Sequence, residues 1–167
     1  LTDVTGVQTC ALPILIGEDR GKRWLKLIGY DYRWWQRIVM YDNTLQFVRS
    51  LDVKKIDVCE ISGGGIWKNT FEFGSYTNLT FPEYDVCSEP LPHEYDLIIA
   101  DQVFEHLNHP IQAVRNIYSA LRSGGHFVVA TPFLLKVHNV PIDCYRWTEL
   151  GLKYLLEDGG FQNENIS

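Results

Sequence analysis

A chain of 167 residues, 46% hydrophobic and 22% charged, has room for one domain with a buried core and too much apolar content to stay disordered. Its formal net charge of -6 lacks the basic footprint that grips a nucleic-acid backbone, so no nucleic-acid partner is expected. The longest apolar runs, such as Leu97 to Ala100 and Phe127 to Ala130, fall far short of the roughly 20 residues that cross a bilayer, so no membrane partner is expected either.

In chain order, Val4 to Ile14 (VTGVQTCALPI) resembles the in-frame translation of a sequencing adapter, and residues 1–14 are set apart from the fold. Between Arg23 and Leu51, Trp24, Leu27 and Ile28, then Trp34, Ile38, Tyr41, Leu45 and Val48 recur mostly at three- and four-residue steps. That period predicts two helices broken near Gly29 to Asp31, in an N-terminal helical region over residues 15–55. Lys55 to Ile61 (KIDVCEI) predicts a buried strand running directly into Ser62, Gly63, Gly64 and Gly65. A short helix follows from Ile66, and Ser75 to Leu79 forms the next strand before a turn at Pro82. Tyr95 to Ala100 (YDLIIA) is a continuous apolar run of the kind buried on both faces of a parallel sheet.

Pro110 opens a helix that carries Ile111, Val114, Ile117, Tyr118 and Leu121 at helical spacing until Gly124 and Gly125 stop it. His126 to Thr131 (HFVVAT) predicts another buried strand. Thr148 caps a last helix with Glu149 in its first turn; it buries Leu152, Leu155 and Leu156 and ends at Gly159 and Gly160. Strands alternating with helices give an α/β fold with a mainly parallel sheet. The four cysteines, Cys10, Cys59, Cys87 and Cys144, show neither metal-site pairing nor the density of a disulfide scaffold. A reducing cytoplasm and no metal are therefore expected.

Ligands of open α/β sheets lie beyond the carboxyl ends of the strands, so Glu60 to Gly65 marks a cofactor crevice. Behind it come Asp85, then Asp96 to Leu107 (DLIIADQVFEHL), Gly124 to Pro132 (GGHFVVATP) and Pro141 to Phe161. Together these blocks, over Ile56 to Phe161, resemble the small class I methyltransferases that use S-adenosylmethionine. The resemblance implies a Rossmann-like sheet with flanking helices over residues 56–167, S-adenosyl-L-methionine as cofactor, and a small-molecule methyl acceptor. In that family the first acidic residue and its glycine turn hold the methionine end of the cofactor, which falls here on Glu60, Gly63 and Gly64. Ser62 stands where the family usually has glycine, a change expected to narrow the turn.

The acidic residue that grips both ribose hydroxyls in the family is replaced by Thr80, whose hydroxyl makes fewer and weaker bonds than a carboxylate; Glu83 is the nearby substitute. Asp85 and Val86 match the pair that recognises adenine. Asp101 and Gln102 fall where the family lines the cofactor, and Glu105 and His106 where it lines the acceptor pocket. His106 is the expected general base, although Glu105 and His106 could equally start or cap a helix. Lys136 to Thr148 (KVHNVPIDCYRWT) resembles a wall of the acceptor site. His138, Asp143 and Arg146 either orient an acceptor there, or Asp143 and Arg146 pair to stiffen the loop. Trp147 reads as packing.

Two other readings compete. A nicotinamide oxidoreductase also places glycines after its first strand, but its third glycine would fall on Trp67 or Lys68, which obstruct close helix–strand packing. A non-catalytic binding module is the other, supported by Thr80. In the resembled family a helix like Thr148 to Asp158 is followed by a strand and an antiparallel partner, whereas only Phe161 to Ser167 follow here. Those C-terminal strands are expected to be missing, leaving the strand at His126 with an unpaired apolar edge and a poorly stable domain. Neither the acceptor atom nor the oligomeric state has a signal in the sequence.

Overall fold

The computed structural model describes residues 35–138, 141–162, 164 and 166. The chain divides into two compact units, Leu1–Asp42 and Asn43–Ser167. The first helix predicted upstream of Gly29 and the adapter-like segment lie outside the described residues; the second helix is α1 (Trp35–Ser50). It is followed by a 3-10 turn at Val53–Lys55, then β1 (Asp57–Ile61), α2 (Ile66–Thr70), β2 (Ser75–Leu79), β3 (Tyr95–Asp101), α3 (Pro110–Ser119), β4 (Leu121–Ala130) and α4 (Glu149–Gly159). Among the described residues no helix is long and apolar enough to cross a membrane.

Among the described residues the four strands are all parallel, in the order β2-β1-β3-β4. Such pairing needs a crossover between consecutive strands, and the alternating helices and loops supply it. After β2 the chain returns past β1 to place β3 on its other side, so the direction of winding reverses between β1 and β3. That reversal opens a crevice at the carboxyl ends of the two strands. Central position explains their composition: Val58 to Ile61 and Leu97 to Ala100 are buried, as strands covered on both faces require.

The helices follow their sequence signals. Pro110 occupies the first turn of α3, where its missing N–H leaves no bond unmade, and Ala113, Val114 and Ile117 turn to the core. Thr148 Oγ1 accepts from Gly151 N at 3.0 Å and caps α4, whose Leu155 and Leu156 are buried. A Cβ on Gly159 would lie 2.0 Å from Val114 Cγ1, so the end of α4 is seated on α3 through a glycine.

Two boundaries differ from the sequence reading. β1 begins at Asp57 because Val53–Lys55 turns instead of extending, with Lys55 N bonded to Asp52 O. β4 begins at Leu121, which the helical spacing had assigned to α3. Tyr95 N bonds to Ala120 O, Leu121 pairs with Tyr95, and the register shift that follows takes up Ser123 to Gly125. The glycines therefore serve an irregularity within the strand: Gly124 has φ 79°, and a Cβ on Gly125 would lie 2.9 Å from Arg122 O. β4 pairs only with β3 among the described residues.

At the amino edge of the sheet a polar cluster joins the strand starts. Asp96 Oδ2 accepts from Asp57 N at 2.8 Å and from Arg122 Nη1 at 2.7 Å. Asp57 Oδ2 lies 3.3 Å from both Arg122 Nη2 and His93 Nε2, and Ser75 Oγ donates to Asp57 Oδ1. The Asp57 amide, with the Arg122 guanidinium beside it, holds the Asp96 carboxyl below its usual range.

Candidate cofactor and acceptor site

The turn after β1 is shaped by what each position can tolerate. Ser62 takes a left-handed φ of 51°, which costs a residue with a Cβ roughly 1–2 kcal/mol and explains why glycine suits this position. Its amide donates to Leu79 O at 2.7 Å and its hydroxyl accepts from Phe81 N at 3.3 Å, so the sheet holds it there. A Cβ on Gly63 would lie 2.1 Å from Glu60 Cδ, whereas one on Gly64 would meet nothing within 4 Å. A side chain at Gly63 would thus displace the Glu60 carboxylate, and Gly64 faces open space. Asn78 of β2, paired in register with Glu60, accepts from Gly63 N at 2.9 Å and donates to Gly63 O at 3.2 Å.

Glu60 is 1% exposed, and Tyr76 Oη donates to its Oε2. Burial pushes its carboxyl above the usual range, the Tyr76 bond opposes that shift, and the charge of Asp101 adds to it. Asp101 ends β3 beside it and accepts at Oδ2 from Trp67 Nε1 at 3.3 Å. The fully buried Trp67 occupies the position where a nicotinamide fingerprint read from Ser62 has its third glycine. Gln102 follows Asp101 in a left-handed conformation, φ 59°, its amide bonded to Ala130 O at 2.7 Å. The two non-glycine residues with positive φ among those described thus follow the two central strands, flanking the crevice.

The remaining nucleoside candidates sit differently. Thr80 is exposed just beyond β2 and its carbonyl accepts from Tyr84 N at 3.0 Å. Asp85 accepts at Oδ1 from Cys87 N at 2.9 Å and at Oδ2 from Ser88 Oγ at 2.8 Å, forming a local turn. Val86 is core, 3% exposed, with its carbonyl bonded to Asn116 Nδ2.

On the acceptor side, residues 104–106 form a turn and do not open a helix, which starts only at Pro110. The loop before α4 is stitched onto this turn. Cys144 N and Tyr145 N both donate to Glu105 O, at 2.7 and 3.2 Å, Trp147 Nε1 donates to Phe104 O at 3.2 Å, and His106 Nδ1 donates to Ile142 O. Asp143 accepts from His138 N at 2.8 Å and pairs through both oxygens with Arg146, which holds its carboxyl well below the ordinary range. Arg146 also donates to Tyr145 O at 2.8 Å and to Lys136 O at 3.4 Å, so both partners of the pair are engaged within their own loop.

Glu105 is 1% exposed and burial pushes its carboxyl up, with the Arg146 charge among the opposing causes. The rings of His106 and His138 meet edge to face, 5.1 Å apart. Sequence reasoning placed Glu60, Gly63, Gly64, Asp101 and Gln102 at the crevice but missed Tyr76 and Asn78. Their only signal was an aromatic and an amide in the strand next to Glu60. It also did not bring Glu105, His106 and His138 together. A cleft of about 1060 Å³ lies instead along the outer edge of β4, between Phe47, Tyr118, Phe127 and Phe161. Among the described residues no carboxylate lines it, so the crevice at the strand ends remains the better candidate for chemistry.

A family model described as a methyltransferase domain matches residues 43–127. No curated protein matches the chain. Among solved structures, the chain resembles PigF with SAH at 17% identity and TM-score 0.49, covering 70% of this chain and 54% of that one. It also resembles the O-methyltransferase of a trans-AT PKS multienzyme of Brevibacillus brevis in complex with S-adenosyl-L-homocysteine, at 14% identity and TM-score 0.49, covering 93% and 60%. Human N-acetylserotonin methyltransferase in complex with SAM is matched at 18% identity and TM-score 0.48, covering 96% and 58%. The chain thus spans between 54% and 60% of the length of these structures. Because the family match runs over just over half of the chain, from within α1 into β4, the chain belongs to the methyltransferase-domain family.

Proposed function

We propose that this chain transfers a methyl group from S-adenosylmethionine to a small-molecule acceptor. The observation that carries the reading is the pair of carboxylates, Glu60 and Asp101, at the carboxyl ends of adjacent strands around an open glycine turn. That crevice suits a ligand bearing an ammonium and a sulfonium. The cofactor supplies a methyl group already activated by its sulfonium.

The chain's own residues hold and orient. Glu60, Gly63 and Gly64 receive the methionine end, Thr80 the ribose, Asp85 and Val86 border the adenine, and Asp101 and Gln102 line the space between. His106 faces the acceptor and is the group to take its proton, since Nδ1 is committed to Ile142 O and Nε2 is the ring nitrogen left for the acceptor. Asp143 and Arg146 are positioning residues that fix the acceptor loop through their ion pair. A domain that binds the cofactor without turnover is the second reading, favoured by the exposed Thr80 and by the local bonds of Asp85.

Calorimetric titration with S-adenosylhomocysteine tests the assignment. Gly64→Val places its side chain in open space, so the melting temperature should hold while binding falls at least about 10-fold. Undiminished binding by that variant would remove the glycine turn from the site.

A further inference from the structure

One ring nitrogen from each of His106 and His138 and one oxygen of Glu105 lie within 4.8 Å of one another. A carbonyl only accepts, so the bond to Ile142 O puts the proton of the neutral His106 ring on Nδ1. Its Nε2 lies 3.7 Å from Glu105 Oε1. That oxygen belongs to a side chain 1% exposed and has no hydrogen-bond partner. A buried carboxylate oxygen without a hydrogen-bond partner is costly, and a cation bound between it and the two imidazoles relieves that cost.

The surroundings also hold the rings as ligand histidines are held. His138 Nδ1 lies 3.3 Å from Lys136 O and 3.4 Å from Asp143 Oδ2, and Asp143 is itself fixed by Arg146. Carbonyl and carboxylate partners of this sort orient an imidazole behind its ligating nitrogen. We propose that Glu105, His106 and His138 form a binding site for a divalent transition-metal ion. Two imidazoles with one carboxylate suit ions such as zinc, manganese, iron or cobalt, whereas calcium and magnesium take oxygen donors. Donors around a tetrahedral zinc sit roughly 3.4 Å apart, so the three groups close by about 1 Å on binding. Of the three side chains His138 is the most exposed, 36% against 16% for His106 and 1% for Glu105, so the closure falls to it.

Three protein ligands leave positions open on the ion. If the methyl-transfer reading holds, an acceptor oxygen takes one of them and is made more acidic there. His106 then serves as a ligand instead of as the base. The site itself does not depend on that reading.

Protein stripped with a chelator is titrated with Co²⁺ alone, followed by visible absorption and calorimetry, with Zn²⁺ as competitor. One equivalent of Co²⁺ should bind, give a d–d band and be displaced by Zn²⁺. His138→Gln, on an exposed part of the loop, should weaken binding at least about 10-fold without lowering the melting temperature. Cys144→Ser, which removes the thiol near the His106 carbonyl, should bind as wild type. Absence of stoichiometric binding, undiminished binding by His138→Gln, or loss in Cys144→Ser would overturn the proposed donor set. S-adenosylhomocysteine titrations run in parallel separate the two claims. If that ligand binds and Co²⁺ does not, only the metal site falls; if Co²⁺ binds and that ligand does not, only the methyltransferase reading falls.

Discussion

Glu60 sits where stability and binding oppose each other. Its folded-state pKa is raised by burial, so the stability it contributes is present below the unfolded value and is lost as pH rises through the folded one. Ionising Glu60 in the unliganded protein therefore carries a cost, which a cationic ligand relieves. Glu60→Gln keeps an acceptor for Tyr76 and removes the charge. Its expected signature is a higher melting temperature for the unliganded protein at pH 7 with S-adenosylhomocysteine affinity reduced by about 10-fold or more. Lower stability together with unchanged affinity would mean that the carboxylate serves the fold alone. Glu60 and Gly63 were legible because a strand running into glycines is a local pattern. Tyr76 and Asn78 were not, since their roles follow from the register that sets Asn78 against Glu60, which local sequence does not encode. Ser62 was read as narrowing the turn, whereas its consequence is a left-handed backbone borne by a residue with a Cβ.

Among the elements, α4 is bound to α3 by Gly159. Gly159→Ala would drive a methyl into Val114 and should destabilise the domain by about 1–3 kcal/mol in denaturant unfolding. Thr148→Ala, which removes the cap at the other end of the same helix, should cost about 1 kcal/mol. If the alanine at 159 proved the milder of the two, the two helices would not be as closely seated as described. Cap and proline signals gave the starts of α3 and α4 because they act within a few residues. The end of α3 was misread because Leu121 satisfies helical spacing as well as strand pairing, and a bond from Tyr95, remote in sequence, decides between them. In the acceptor loop the same limit applied: the type of each polar residue was visible, while the stitching of Cys144 and Tyr145 onto Glu105 was not.

For the molecule as a whole, acid should loosen the amino edge of the sheet. Asp96 has a depressed folded-state pKa, so its contribution is present above the unfolded value of about 3.9 and is lost as pH falls through the folded one. Melting followed from pH 7 to pH 2 should show Asp96→Asn less stable than wild type at neutral pH and converging with it in acid. Parallel curves would leave Asp96 without a part in the acid response. The polar residues that clamp the strand starts, Asp57, Asp96 and Arg122, occupy one end of the sheet, and Glu60, Asp101 and Glu105 occupy or follow the other. Because every strand points the same way, anchorage and workplace are separated along a single axis. Segments after the strands can diverge towards new acceptors while the clamp keeps the scaffold in register, and the scaffold can be hardened from its anchored end without reshaping the crevice.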